Sequence, residues 1–181
     1  MDNNKDVVIE AAGAGTDLVM ASIGYTLGAN VEYLTLTGSA AINGTGNDLS
    51  NMITGNGAGN FLMGGLGADT LTGGLGADIF AYTSVSESGV ATGTWDVITD
   101  FSSAQGDKID LSKIDANPLK KGDQAFTFIG SAAFSSTDAT AQLMFDPATH
   151  MLYGSIDANA SPEIAILLTG VTTLAPTDLV L

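Results

Sequence analysis

Four blocks of nine residues follow one another from Gly46 to Ala81: GNDLSNMIT, GNGAGNFLM, GGLGADTLT and GGLGADIFA. Each opens on glycine and carries an amide or a carboxylate at its sixth place: Asn51, Asn60, Asp69 and Asp78. The eighth place is apolar: Ile53, Leu62, Leu71 and Phe80. Carboxylates repeated at a fixed spacing beside glycine-rich backbone make an oxygen donor set. Calcium takes about six to eight such oxygens, from carboxylates and from backbone carbonyls.

The elements that position these donors follow from the same period. Glycine tolerates φ > 0, so places one to six can bend tightly. Places seven to nine form a very short strand whose middle side chain points inward, because side chains alternate across a strand. Two blocks make one coil of 18 residues, and coils stack as parallel strands ~4.7–4.9 Å apart. Two inward side chains per coil bury too little apolar surface to offset the ordering of so many backbones. Stacked carboxylates would also repel. Calcium in the gaps between turns removes both difficulties. The period stacks Asn51 on Asp69, Asn60 on Asp78, Asp69 on Glu87 and Asp78 on Asp96, so Glu87 and Asp96 are expected to continue two ligand columns. Asn51 and Asn60 are either weaker ligands or a neutral amide ladder.

Composition agrees with a need for cations. Of 181 residues, 20 are acidic and 5 are lysine, for a formal charge of −15. No basic residue lies between Lys5 and Lys108, a stretch that holds 11 acids. A nucleic-acid binder needs a basic footprint, which is missing, and an anionic membrane surface would repel the chain. At 45% apolar residues the chain is too hydrophobic for an acidic disordered segment. There is no cysteine, hence no disulfide or thiolate metal site. No apolar run is long enough to span a membrane. The start, Met1 to Asp6, has no basic region followed by an apolar run, so no N-terminal signal peptide is expected.

Enzyme signatures are absent. His150 is the only histidine, which excludes HExxH zinc chemistry, and no GxSxG elbow occurs. The glycine-rich text is no phosphate loop, because no GK[ST] follows it. Asp157 to Glu163 is a weak calcium-loop candidate, with Ser161 and Pro162 where such loops favour Asp and Gly.

The blocks resemble the RTX nonapeptide GGxGxDxUx, a calcium-binding β-helix repeat. With Gly76-Ala-Asp-Ile-Phe80, Trp95-Asp-Val-Ile-Thr-Asp-Phe101 and Gly106-Asp-Lys-Ile-Asp-Leu-Ser112, residues 36–181 are similar to the C-terminal domain of serralysin-type secreted metalloproteases. The resemblance implies an all-β fold, a parallel β-roll followed by an antiparallel β-sandwich cap. It implies that carbonyls of Gly64, Gly65, Leu66 and Gly67, and of Gly73, Gly74, Leu75 and Gly76, ligate calcium with the sixth-place side chains. Glu87, Asp96 and Asp107 would complete the last sites. Division is expected at 1–45 (irregular short strands), 46–81 (roll) and 82–181 (cap). Strands are expected at 95–101, 125–130, 141–146, 150–156, 163–169 and 178–181, with at most a helical turn near 111–116. The ending Asp178-Leu-Val-Leu181 resembles an uncleaved signal for the type I secretion apparatus. A secreted, non-catalytic module is therefore expected, attached to an upstream catalytic domain in a longer parent. The competing function is a polysaccharide-binding or adhesion module, for which only Lys108, Lys113, Lys120 and Lys121 offer positive charge.

Overall fold

The computed structural model describes residues 1–3 and 5–181. Ten short strands alternate between two parallel sheets: β1 (Leu18–Ala21), β2 (Tyr25–Thr26), β3 (Tyr33–Leu36), β4 (Asn43–Thr45), β5 (Met52–Thr54), β6 (Phe61–Met63), β7 (Thr70–Thr72), β8 (Ile79–Ala81), β9 (Asp96–Ile98) and β10 (Lys108–Asp110). The odd strands pair in the order β1-β3-β5-β7-β9 and the even ones in the order β2-β4-β6-β8-β10. Four strands follow: β11 (Thr127–Phe128), β12 (Gln142–Asp146), β13 (Met151–Ser155) and β14 (Ile164–Leu168). A 3-10 turn at Pro176–Asp178 leads into β15 (Leu179–Val180), which joins the second sheet beside β10.

The roll is the β-roll expected from the repeat, and its regular ladders extend past residues 46–81 on both sides. Residues 18–45 already supply β1 to β4 in parallel register. The antiparallel strands β12, β13 and β14 continue the first sheet through the parallel pairing of β14 with β9. Phe126, Leu143 and Ile164 crowd Gly154 on β13, where an added Cβ would meet Ile164 at 2.8 Å. Strand β10 was not expected from sequence; its three residues Lys-Ile-Asp show too short an alternation to stand out.

The inward column is what the eighth places foretold. Ile53, Leu62, Leu71 and Phe80 are all fully buried. In the first sheet, register stacks Val19, Leu34, Ile53, Leu71, Ile98 and Leu168. In the second it stacks Tyr25, Gly44, Leu62, Phe80, Ile109 and Leu179. Gly44 fills a large-residue position because Leu34, Leu62 and Ile53 already come within 3.2–3.3 Å of where its Cβ would sit.

Single-file stacking makes each inward residue costly to truncate. Leu71→Ala is expected to lower stability by about 2–5 kcal/mol. Met52→Ala, on an outward-facing side chain, should change it by less than about 0.5 kcal/mol. Denaturant unfolding at saturating calcium measures both; equal losses would contradict the inward column.

Candidate metal centre

The sixth-place residues precede their strands, so strand register also stacks them. Each backbone N–H donates to the next residue of its column. Asn51 N–H donates to Asp69 Oδ1 at 2.7 Å, and Asn60 N–H to Asp78 Oδ1 at 2.7 Å. Asp69 N–H donates to Asp96 Oδ1 at 2.8 Å, and Asp78 N–H to Asp107 Oδ1 at 2.9 Å. The columns are therefore Asn51-Asp69-Asp96 and Asn60-Asp78-Asp107.

That corrects two expected stackings. Asp69 is followed by Asp96, not Glu87, and Asp78 by Asp107, not Asp96. The loop after β8 lengthens the step beyond 18 residues, so the next strand arrives later in the chain. Glu87 lies outside the column, where Oε2 accepts from Thr83 N–H at 2.9 Å and Oε1 accepts from the Thr83 hydroxyl. It remains close enough to Asp69 and Asp96 to raise the pKa of both.

One oxygen of each central carboxylate is thus held by backbone. The other, Oδ2 of Asp69, Asp78 and Asp96, is buried and has no hydrogen-bond partner. The Tyr82 hydroxyl is buried and unpartnered as well; burial, then Asp96 nearby, pushes its pKa up. Such orphaned groups are rare and costly. Burial pushes Asp69 up to about 7, Asp78 to about 6 and Asp96 to about 8; backbone hydrogen bonds, and for Asp96 the neighbouring Tyr82 hydroxyl, oppose the rise only in part. Asp107 is raised too, mainly by burial; its Oδ2 accepts from Ser102 N–H at 2.8 Å.

The backbone around these oxygens admits only glycine. A Cβ on Gly64 would lie 2.0 Å from Asp69 Oδ2, and one on Gly73 would lie 2.5 Å from Asp78 Oδ2. Carbonyls of stacked turns come equally near: a Cβ on Gly65 would sit 2.3 Å from the Asn47 oxygen, and one on Gly74 would sit 2.4 Å from the Asn56 oxygen. Gly65, Gly67, Gly74 and Gly76 have φ of +99°, +117°, +95° and +114°, in the left-handed range.

The donors fit a hard cation. They are carboxylate and carbonyl oxygens, the set that suits calcium or magnesium and not a soft metal. Among the described residues, no three His, Cys, Asp or Glu side chains are grouped to hold an ion by themselves. A shell here would need the turn carbonyls of Gly64, Gly65, Leu66 and Gly67, and of Gly73, Gly74, Leu75 and Gly76. Calcium's larger, more flexible shell accepts that mixture better than magnesium's strict octahedron.

Three further acids matter that sequence reasoning left unassigned. Asp100 accepts from Gly73 N–H and Gly74 N–H, both at 2.8 Å, and so fixes the start of the last glycine turn. No period marks it, because it follows the irregular loop. Asp17 and Glu32 extend the first column upstream, with Asp17 N–H donating to Glu32 Oε2 at 3.0 Å. Partial burial, then Glu10 and Glu32 beside it, pushes the Asp17 pKa up. The Asp157–Glu163 loop is satisfied internally: Asp157 accepts from Asn159 through both oxygens, and Glu163 from Ile156 N–H.

A family model described as Peptidase M10 serralysin C terminal matches residues 3–181. No curated protein matches the chain.

The raised carboxylates set a pH dependence with a definite sign. An unfolded Asp titrates near its ordinary value of 3.8, whereas the folded, metal-free sites keep their protons up to about pH 6–8. Between these limits the unfolded chain binds fewer protons, so metal-free stability falls as pH rises. By circular dichroism, metal-free protein should hold more β-structure near about pH 5 than near about pH 8. Calcium affinity should run the other way, since protons compete for the same oxygens. A metal-free β-content that increases over that interval would refute the assignment of these three groups.

Proposed function

The chain belongs to the peptidase M10 serralysin C-terminal family, and on that premise we propose that it is a calcium-dependent folding module of a secreted protein. The observation that carries this reading is the set of three buried, partnerless Oδ2 atoms on Asp69, Asp78 and Asp96. Bound calcium supplies the positive charge and the coordination positions that these oxygens lack. Asp69 and Asp78 each keep Oδ1 on a backbone N–H of the preceding coil, which holds Oδ2 toward its own glycine turn. The turn carbonyls from Gly64 to Gly67 and from Gly73 to Gly76 are the remaining donors in this reading. Glu87, Asp96 and Asp107 close the last gaps; Asp107 can share oxygens already hydrogen-bonded, since a carboxylate has about four acceptor sites.

The family is the non-catalytic C-terminal part of serralysin-type proteins, so the proposed work is structural. Where calcium is scarce, ionised Asp69, Asp78 and Asp96 disfavour the stacked turns. An unfolded chain suits passage through the type I secretion apparatus. Outside the cell, binding to the folded state alone stabilises it by about 2.7 kcal/mol per ion at a hundredfold excess over Kd. The folded roll then supports a catalytic domain elsewhere in the parent protein. The last residues, with Leu179 packed into the core on β15, are the proposed export signal, which ends up as the final strand of the roll.

Circular dichroism should show a coil-to-β transition when calcium is added to metal-free protein at neutral pH. The Asp69→Ala/Asp78→Ala variant should hold fewer ions in native mass spectra and need roughly tenfold or more calcium to fold. Equal β-content in excess chelator, or an unchanged ion count, would refute the reading.

A further inference from the structure

The four repeat turns are of two kinds, and they differ in more than the sixth residue. The later pair reads GGLGAD; the earlier pair reads GNDLSN and GNGAGN, with asparagine at both second and sixth places. Among the later turns, the second and fourth residues are left-handed glycines. In the earlier turns Asn47, Leu49, Asn56 and Ala58 occupy those places without positive φ.

The consequence is visible at one oxygen. Asn51 Oδ1 sits against Gly46, 2.3 Å from where a Cβ would be, as Asp69 Oδ2 sits against Gly64. Asn51 Oδ1 accepts from Asn47 N–H at 2.7 Å, and Asn60 Oδ1 accepts from Asn56 N–H at 2.8 Å. The matching oxygens of Asp69 and Asp78 accept nothing. The amide NH2 groups then bridge to the coil before. Asn51 Nδ2 donates to the Val31 carbonyl at 3.0 Å and Asn60 Nδ2 to the Ile42 carbonyl at 2.8 Å. Asn47 Nδ2 donates to the Gly28 and Val31 carbonyls at 2.7 and 2.8 Å, and Asn56 Nδ2 to the Ala40 carbonyl at 2.9 Å.

We propose that the Asn47/Asn51 and Asn56/Asn60 pairs are amide latches that close the two upstream gaps without an ion. This rests on the calcium reading of the Asp turns and goes beyond it, because it sets two ion-free turns directly upstream of the ion-bound ones; farther upstream, Asp17 Oδ2 is again buried and without a partner. An asparagine NH2 presents N–H donors to the carbonyls that a cation would otherwise draw together. It carries no charge, so no counter-ion is needed. Both sixth-place asparagines are almost fully buried, and their amide oxygens and nitrogens are all paired. The second-place asparagine adds the donors that one amide alone cannot supply, and its side-chain oxygen stays in its own turn, accepting from Leu49 or Ala58 N–H.

The test counts calcium ions on the whole chain by native mass spectrometry at saturating calcium, with folding checked by circular dichroism. Wild type, Asn51→Ala and Asn60→Ala should hold the same number, whereas Asp69→Asn and Asp78→Asn should each hold fewer. Converting a latch to the other turn type should add one ion: Asn47→Gly/Leu49→Gly/Asn51→Asp for the first, Asn56→Gly/Ala58→Gly/Asn60→Asp for the second. An ion lost from a folded Asn51→Ala or Asn60→Ala protein overturns the latch. Where those single variants do not fold, the converted turns decide, and an unchanged count in them overturns it. A wild-type chain that binds no calcium overturns the calcium reading and the latch with it. A wild-type chain that loses ions with Asp69→Asn while the latch arms fail leaves the calcium reading standing and the latch refuted.

Discussion

Everything in the roll turns on how the gap between two stacked turns is closed. Strand ladders and the inward column hold the coils together along their flat sides. At the corners, the backbone carbonyls of one turn lie close against the glycines of the next. A corner needs donors or positive charge. In the downstream turns one carboxylate oxygen of each Asp is spent on a backbone N–H, and the other faces a wall of glycine with nothing to accept from. Its raised pKa has the same origin: burial of a charge with no compensating partner.

The glycines belong to that constraint. Left-handed φ at Gly65 and Gly74 accompanies the loss of the N–H that Asn47 and Asn56 give to the sixth-place oxygen. The same residues let the Asn47 and Asn56 carbonyls approach closer than any Cβ would permit. Glycine in these turns is therefore tied to the carboxylate at sixth place, and its absence upstream is tied to asparagine there. The hydrogen bonds that side-chain amides supply upstream have no counterpart downstream.

Much of this was legible in the residues. The nine-residue period located the turns, the inward column and the sixth-place residues, and the strands expected at 141–146, 150–156 and 163–169 stand as β12, β13 and β14. The stackings onto Glu87 and Asp96 were misplaced because a period cannot be extrapolated across an irregular loop; Tyr82 to Thr94 lengthens the step, and only strand pairing reveals by how much. Strands β1 to β4 were harder to read as part of the roll. Their turns vary in length, and Gly44 stands where the column elsewhere has a large apolar residue. Asn51 and Asn60 were ambiguous from type alone, since an amide can ligate or bridge; the structure adds that their Oδ1 atoms accept from the Asn47 and Asn56 N–H groups.

The junction at β9 joins the first carboxylate column to the antiparallel strands. Asp96 ends the first carboxylate column and also begins the strand that pairs with β14. Its own N–H donates to the Ser88 hydroxyl at 2.8 Å, and that hydroxyl donates to the Ala165 carbonyl. Ser88 is completely buried. Through Ser88, Asp96 is linked by hydrogen bonds to β14, the strand that pairs with β13. Likewise, Asp107 ends the second column one residue before β10, whose far edge receives β15, and Asp178 accepts from Ser103 Oγ at 2.9 Å to hold that edge in place. Both columns end on strands that recruit C-terminal ones. The antiparallel part and the final strand are thus each paired to a strand on which a carboxylate column ends.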